Sequence, residues 1–239
     1  MNQENSNDAP AIDRQRMKRV LVIDIGGTSV KFLATGQKTS RRFPSGRKLT
    51  PRQMVAGVKQ LAGDWNYNAV TIGYPGVVKG GRVIKEPQNL GRGWVGFDFK
   101  AAFGCPVKLI NDAAMQALGS YKGGLMLFLG LGTGLGSALI ADGVVVPLDL
   151  AHLPYRQGSY EDYMGLRALK RLGKPLWRKH VADVAKRFID ILHPDDVVLG
   201  GGCAKDLSKP SRGCRVGDNS HAFVGGIRLW ENAPTKKGA

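Results

Sequence analysis

The chain has 239 residues, enough for one or two domains with a sizeable core, which excludes a small disulfide-stapled scaffold. Its formal net charge of +16 predicts attraction to polyanions such as nucleic acid, an anionic membrane surface or phosphate-rich molecules. Only 3 cysteines are present, and no apolar run reaches the ~18 residues that span a bilayer. We therefore expect a cytoplasmic protein with no membrane partner, and a disordered leader at residues 1–18 that lacks the apolar stretch of a signal peptide.

Strand and helix patterns alternate along the chain. An apolar, β-branched run from Arg19 to a glycine pair predicts a buried strand, and residues 29–35 predict the second arm of a hairpin. The later patterns predict, in chain order, a helix at 51–63, strands at 69–74 and 107–110, a helix at 113–121, a strand and glycine turn at 125–136, strands at 137–141 and 144–146, helices at 160–172 and 176–192, a strand at 196–199 and a helix at 221–230. This alternation predicts an α/β protein.

The first strand ends in residues suited to phosphate and magnesium. Asp24 stands at the strand end, and Gly26, Gly27, Thr28 and Lys31 follow it. Glycine lets backbone N–H groups approach phosphate oxygens, the threonine hydroxyl adds a donor, and the aspartate can hold Mg²⁺ directly or through water. Taken alone, the same residues also suit a hairpin turn whose glycines serve only its conformation.

A similar turn follows a second buried strand and contains Gly132, Thr133 and Gly134. Its glycine spacing nearly matches a dinucleotide-binding loop, but the β-like stretch SALIADG follows where that fold needs a helix, so we reject this alternative. Neither turn is a P-loop, because no Gly-Lys-Ser/Thr follows a four-residue spacer. Two similar strand-turn-strand units predict two halves that face each other.

Five blocks of sequence follow one another in a definite order. They are DIGGTSVK at 24–31, LINDAAMQALGSY at 109–121, LGLGTGLGSALIADG at 129–143, DLAHL at 149–153 and VVLGGG at 197–202. In this order they resemble the motifs of the ROK family of sugar kinases. The resemblance implies a two-lobed, actin-like and hexokinase-like (ribonuclease H-like) α/β fold, with one lobe at 19–117, the other at 118–239 and a last helix that can pack on the first lobe.

The resemblance also implies the roles of individual residues. Asp112 falls where the family has the base that accepts the proton of the attacking sugar hydroxyl, and Asn111 beside it would hydrogen-bond the sugar. The alternative for Asp112 is a helix cap without chemistry. The further sugar-binding positions implied are Gly76, Asn89, Asp149, His152 and Glu161.

On the donor side, the resemblance implies phosphate contacts from both glycine turns and Lys31, Mg²⁺ at Asp24, and an adenosine contact at Gly200, Gly201 and Gly202. Two positions depart from the family pattern. Asp149 is one methylene shorter than the family's glutamate, and no cysteine follows His152 where most members hold zinc, so we expect no zinc. The alternative for His152 is a core histidine.

The missing zinc cluster and the short chain make the resemblance strongest to the polyphosphate glucokinase subgroup. Charge supports it independently, because residues 37–63 contain seven basic side chains and no acidic one. A second basic group, at Arg167, Arg171, Lys174 and Arg178, would share one helical face unless Pro175 breaks the helix. A polyphosphate chain would bind to such groups, although they could equally be a solvated surface.

These observations together predict a hexose kinase that phosphorylates the 6-hydroxyl of glucose with polyphosphate, ATP or both, and that acts as a homodimer. Two alternatives stay open. One is an ATP-only kinase for mannose, fructose or an N-acetylated sugar. The other is a sugar-sensing regulator, which the retained Asp112 and the short segment before Arg19 argue against, so we expect no specific nucleic-acid partner.

Overall fold

The computed structural model describes residues 18–231, so the predicted leader, apart from Lys18, lies outside the described residues. The first half of the chain alternates strands and helices as follows: β1 Val20–Ile25, β2 Ser29–Ala34, β3 Arg41–Pro44, α1 Pro51–Leu61, β4 Ala69–Tyr74, β5 Val78–Lys79, β6 Arg82–Val83, α2 Phe99–Phe103, β7 Val107–Asn111 and α3 Asp112–Ser120.

The second half begins with three strands and then becomes more helical. Its elements are β8 Leu125–Leu131, β9 Leu135–Ala141, β10 Val144–Leu148, β11 Pro154–Tyr155, β12 Gly158–Ser159, α4 Tyr160–Met164, α5 Leu166–Leu192, β13 Asp196–Gly200, β14 Cys214–Val216 and α6 His221–Glu231. In the described part of the chain, no helix combines the length and the apolar character needed to cross a bilayer.

The two halves repeat one sheet topology. The first sheet has the order β3-β2-β1-β4-β7 and the second the order β10-β9-β8-β13-β14. In each sheet, a three-stranded antiparallel meander is extended by two parallel strands. The α/β class and the internal repeat predicted from the two glycine turns are therefore confirmed.

Strand β1 is buried on both faces, which explains its nearly continuous apolar sequence. Side chains alternate along a strand, so Leu21 and Ile23 lie on the face that packs against α1, whereas Val20 and Val22 face α3 and α6. Asp24 interrupts this run as the only polar residue of the strand, and it is half-buried at the end of the sheet. A carboxylate held there needs a functional explanation.

Helices α3 and α6 join the two sheets. Helix α6 packs on β1 and β4 of the first sheet, and α3 contacts β8, β9 and β10 of the second as well as α6. The last helix thus lies against the first lobe, while the predicted boundary between residues 117 and 118 falls inside α3. Arg228 of α6 donates to three carbonyls at the end of α3, those of Leu118, Gly119 and Tyr121.

The predicted helix at 160–172 is wrong in one respect, because the chain forms two helices there. Ser159 and Asp162 make a capping box that starts α4, and Gly165, with extended backbone, separates α4 from α5. The break expected near Pro175 occurs at Gly173, whose φ of +72° is non-helical. The proline itself lies inside the helical segment that follows the break.

Candidate active site

Two half-buried carboxylates lie at the carboxyl edge of the first sheet. Asp24 of β1 pairs with Gly73 of β4, which pairs with Ile110 of β7, and Asp112 follows two residues later as the first residue of α3. Burial, and then the negative charge of Asp24, raise the pKa of Asp112 to about 7. Burial also raises the pKa of Asp24 to about 6, against the opposing positive charge of Lys31.

Asn111, and not Asp112, is the N-cap of α3. Its Oδ1 accepts a hydrogen bond from the Ala114 N–H at 3.0 Å, and its Nδ2 donates to the Gly76 carbonyl at 3.1 Å. The interpretation of Asp112 as a helix cap is therefore wrong. The carboxylate of Asp112 instead accepts a hydrogen bond from the Ala113 N–H at 2.9 Å, and the side chain of Asn111 joins the predicted sugar positions Asn111 and Gly76 directly.

Replacing Asn111 with Ala is expected to destabilise the protein by about 1–2 kcal/mol, because it removes a helix cap and a hydrogen bond to a loop carbonyl. Urea unfolding at neutral pH measures the change. Asn111→Asp keeps the cap oxygen and serves as the matched control for capping, but loses the donor to Gly76 and adds a third carboxylate beside Asp112. If Asn111→Ala unfolds at the wild-type urea concentration, the cap contributes nothing.

The first glycine turn is braced from within its own lobe. The Gly26 N–H donates to the Ser29 carbonyl at 3.0 Å, and the Ser45 hydroxyl donates to the Gly26 carbonyl at 2.7 Å. A Cβ placed on Gly27 would lie 3.3 Å from Oγ1 of Thr133 in the second turn. The two glycine turns therefore meet across the space between the lobes. The sequence predicted two facing halves but did not show that these two turns are neighbours.

The second glycine turn is held by two neighbouring segments. The Leu166 N–H at the start of α5 donates to the Gly132 carbonyl at 2.9 Å, and a Cβ on Gly201 would press on the backbone of Leu131 at 2.5 Å. Gly201 has a φ of +82°, whereas Gly202 has open space beside its Cα. Of the predicted adenosine glycines, Gly201 thus lies against Leu131, directly before the second glycine turn, whereas Gly200 lies against the ring of Phe128.

The predicted sugar residues of the second lobe divide into two groups. Glu161 lies against Gly134, and its Oε2 accepts a hydrogen bond from the Leu135 N–H at 3.1 Å. Asp149 and His152 are exposed, by 72% and 66% of their side chains, with Oδ1 and Nε2 4.0 Å apart. The alternative of a core histidine at position 152 is therefore wrong. Asn89 of the first lobe is also exposed.

A metal ion at this edge of the sheet would have few protein ligands. Within residues 18–231, no group of three or more histidine, cysteine, aspartate or glutamate side chains converges as metal ligands. Mg²⁺, however, keeps several waters and takes one or two carboxylates plus substrate phosphates. Asp24 and Asp112, whose pKa values are both raised by burial, fit that donor set.

The basic residues of the two predicted groups do not form one continuous surface. Arg41 of the 37–63 segment is paired with Asp64, with Nη2 2.8 Å from Oδ2, and stacks over Trp65. On α5, Lys174 and Arg178 both contact Asp206. Arg167 and Arg171 instead line a cavity that reaches Thr133 of the second glycine turn, and Arg171 also lines a second cavity.

Two repeated sheets, two apposed glycine turns and a half-buried carboxylate pair define a two-lobed α/β protein of the actin-like and hexokinase-like class. The model of the ROK family matches residues 20–147, more than half of the chain. The protein belongs to the ROK family.

Comparisons with characterised proteins agree with this assignment. The polyphosphate glucokinase of Mycobacterium tuberculosis is 27% identical over 210 residues, which cover 78% of this chain and 78% of that protein. The structure of the inorganic polyphosphate/ATP-glucomannokinase of Arthrobacter sp. strain KM superposes with a TM-score of 0.76 at 24% identity, covering 89% of this chain and 98% of that one. A ROK family glucokinase of Streptomyces griseus, in complex with glucose and AMPPNP, gives a TM-score of 0.68 at 17% identity, with 88% and 98% coverage. The structural matches confirm the predicted fold.

Proposed function

We propose that this protein transfers a phosphoryl group to the 6-hydroxyl of glucose or a similar hexose, with polyphosphate, ATP or both as donor. The observation that carries the proposal is the half-buried Asp24 and Asp112 pair beside two apposed glycine turns. A base works best when its pKa lies near the working pH, and burial together with the charge of Asp24 brings the pKa of Asp112 to about 7. The similarity to a polyphosphate glucokinase supports the choice of donor and sugar.

In the proposed reaction, Asp112 accepts the proton of the sugar hydroxyl as its oxygen attacks the terminal phosphorus of the donor. The bond from that phosphorus to the bridging oxygen breaks, and the shortened polyphosphate or ADP leaves with the bonding electrons. Backbone N–H groups of the glycine turns and the Lys31 ammonium stabilise the phosphoryl oxygens, and Asp24 would hold Mg²⁺. When bound, Mg²⁺ supplies charge neutralisation of the donor phosphates.

The hydroxyls of the sugar would be bound from both lobes. Asn111 retains one Nδ2 hydrogen beyond the Gly76 contact, and Glu161 retains acceptor capacity beyond the Leu135 N–H. Asp149, His152 and Asn89 are exposed, so they would reach the sugar only when the lobes close on it. Closure would also exclude water and so limit hydrolysis of the donor.

The experiment that tests the proposal is glucose 6-phosphate formation by the purified protein with Mg²⁺, with ATP and long-chain polyphosphate compared in parallel. We expect turnover with polyphosphate that falls as salt rises, since the donor is a polyanion. Mannose and N-acetylglucosamine serve as parallel acceptors, and excess EDTA as the metal control. No product with any donor and acceptor pair, together with specific binding to duplex DNA at moderate salt, would contradict the proposal in favour of a regulator.

A further inference from the structure

Two cavities of about 680 and 490 Å³ adjoin on the second lobe and share Gln157, Tyr163 and Arg171 in their walls. The smaller one begins at Thr133 of the second glycine turn, and the larger one extends to Lys179 on α5. Together they form one open groove that leads away from the candidate active site. We call it the basic groove.

Four cationic side chains line the basic groove: Arg156, Arg167, Arg171 and Lys179. All four are exposed, and none has a carboxylate oxygen within 4.0 Å among the residues of the range 18–231. Two carboxylates also lie in the wall. Asp162 caps α4 through Ser159, and its pKa is lowered by these hydrogen bonds and, to a smaller extent, by the charges of Arg171 and Arg167, while Glu161 accepts from the Leu135 N–H. The groove therefore carries a net positive charge, with four cations against two carboxylates in its walls.

Two of these arginines are held in place by the protein. Arg171 donates from Nη2 to the Asp162 carbonyl at 2.6 Å, and its guanidinium lies 5.6 Å from the centre of the Tyr163 ring. Arg156 lies over the Tyr155 ring at 5.4 Å, in the tight turn between β11 and β12, with a φ of +55° that a non-glycine residue rarely adopts. Planar guanidinium groups held in this way retain free N–H donors that suit phosphate oxygens.

Other cations on the same helix are placed differently. The Lys174 ammonium lies 2.6 Å from Oδ1 of Asp206, and Arg178 donates from Nε to the Asp206 carbonyl at 2.7 Å. The kink at Gly173 separates Arg167 and Arg171 from these two residues. Among the residues that the structure describes, the four cations of the basic groove thus differ from Lys174 in making no ion pair within 4.0 Å.

We propose that the basic groove binds the distal phosphates of a linear polyphosphate whose terminal phosphate lies between the two glycine turns. This inference rests on the proposed function and adds a chain-length preference to it. A polyphosphate presents a charge at every repeat and can follow the cations outward from Thr133. ATP carries three phosphates and tripolyphosphate ends after three, so neither offers distal charges to the outer cations Arg156 and Lys179.

The test uses the double variant Arg156→Ala/Lys179→Ala and the matched control Lys170→Ala, which removes an exposed cation of α5 outside the groove. We expect the double variant to raise the KM for long-chain polyphosphate about tenfold, and to leave the values for ATP and tripolyphosphate within about twofold, since each exposed contact contributes modestly. As salt rises, the KM for long-chain polyphosphate should also increase less steeply in the double variant than in Lys170→Ala. Thermal unfolding checks that both variants are folded.

An unchanged KM for the long chain, or an equal rise for long chain and ATP, overturns the proposal. Failure of the proposed function can be distinguished from failure of the groove proposal, because the wild-type protein then makes no sugar phosphate. In that case, equilibrium binding of long-chain polyphosphate still tests whether the basic groove binds it. Loss of that binding in the double variant but not in Lys170→Ala supports the groove, and equal binding overturns it. A parallel loss of duplex DNA binding would also overturn the proposal, in favour of a general polyanion surface.

Discussion

Asp112→Asn is expected to lower kcat by about 10²- to 10⁴-fold, the usual contribution of a general base, while leaving sugar binding within a few-fold. The amide keeps the size of the side chain but cannot accept the hydroxyl proton. In the wild-type protein, kcat/KM should fall as the pH drops below about 7, because the Asp112 carboxyl then becomes protonated. Steady-state assays from pH 5.5 to 8.5 measure both effects. Turnover that persists in Asp112→Asn would refute the assignment.

The same substitution is expected to stabilise the fold at neutral pH. The pKa of the carboxyl is higher in the folded protein than its ordinary value of 3.8, so the folded state binds the proton more tightly than the unfolded chain. The free energy of unfolding contributed by this group is therefore fully present below pH about 3.8 and is lost as pH rises through about 7. Asparagine does not ionise, so Asp112→Asn avoids this loss of stability. We expect the free energy of unfolding to rise by about 1–2 kcal/mol at neutral pH, because the carboxyl faces an open cleft.

Thermal unfolding at pH 5 and pH 8 tests this linkage. Asp112→Asn should raise the melting temperature at pH 8 more than at pH 5, and Asp24→Asn should do the same with its transition about one pH unit lower, since the pKa of Asp24 is raised to about 6. Asp98→Asn is the control for the loss of an exposed charge, because Asp98 caps α2 by accepting from the Ala101 N–H at 2.9 Å and asparagine keeps a cap oxygen. A melting temperature lowered at pH 8 in both cleft variants would show that the pair stabilises the fold.

The position of the candidate active site could be predicted from the sequence for a physical reason. Buried parallel strands are apolar along their length, so a polar residue at the carboxyl end, such as Asp24, marks the edge of the sheet. Glycine turns after two such strands identified the repeat. The sequence did not place Gly27 opposite Thr133, because that contact depends on how the two lobes pack.

The raised pKa values of Asp24 and Asp112 could not be predicted from the sequence either. Asp24 and Asp112 are far apart in the sequence, and the pairing of β1, β4 and β7 brings them close enough for the charge of Asp24 to raise the pKa of Asp112. The strand β3 was missed for a related reason. Its residues, Arg41–Pro44, look like part of a basic segment, but they pair with β2 at the sheet edge, where Phe43 packs on Phe32.

The basic stripe of α5 shows the limit of helical periodicity. Spacing predicted a common face for Arg167, Arg171, Lys174 and Arg178, yet Gly173 interrupts the helix and Asp206 engages the last two. The two outer cations of the basic groove are not members of this predicted stripe. Arg156 lies in a β-turn and Lys179 beyond the kink, so a helical wheel could not have grouped them.

Gly225→Ala is expected to destabilise the protein by about 3 kcal/mol or more, although alanine is the better helix former by about 1 kcal/mol. A Cβ on Gly225 of α6 would overlap the Met115 carbonyl of α3, and a Cβ on Gly119 would overlap the His221 carbonyl in return. The two helices therefore approach each other through glycine backbones. Packing predicts that Gly225→Ala lowers the free energy of unfolding, whereas helix propensity predicts that it raises it. Urea unfolding therefore distinguishes the two effects.

Activity should fall along with stability in Gly225→Ala, because α3 carries Asp112 at its first position and Met115 of the same helix contacts Gly73 of β4. A displacement of about 1 Å at a catalytic group can cost about 10²-fold in rate. Gly63→Ala is the matched control, since its Cβ would make only an ordinary contact, 3.5 Å from the Lys59 carbonyl. If Gly225→Ala proves as stable and as active as Gly63→Ala, the close contact of α3 and α6 does not position Asp112. If the folded fraction of Gly225→Ala has a reduced kcat, the glycine contact between α3 and α6 sets the geometry of the base.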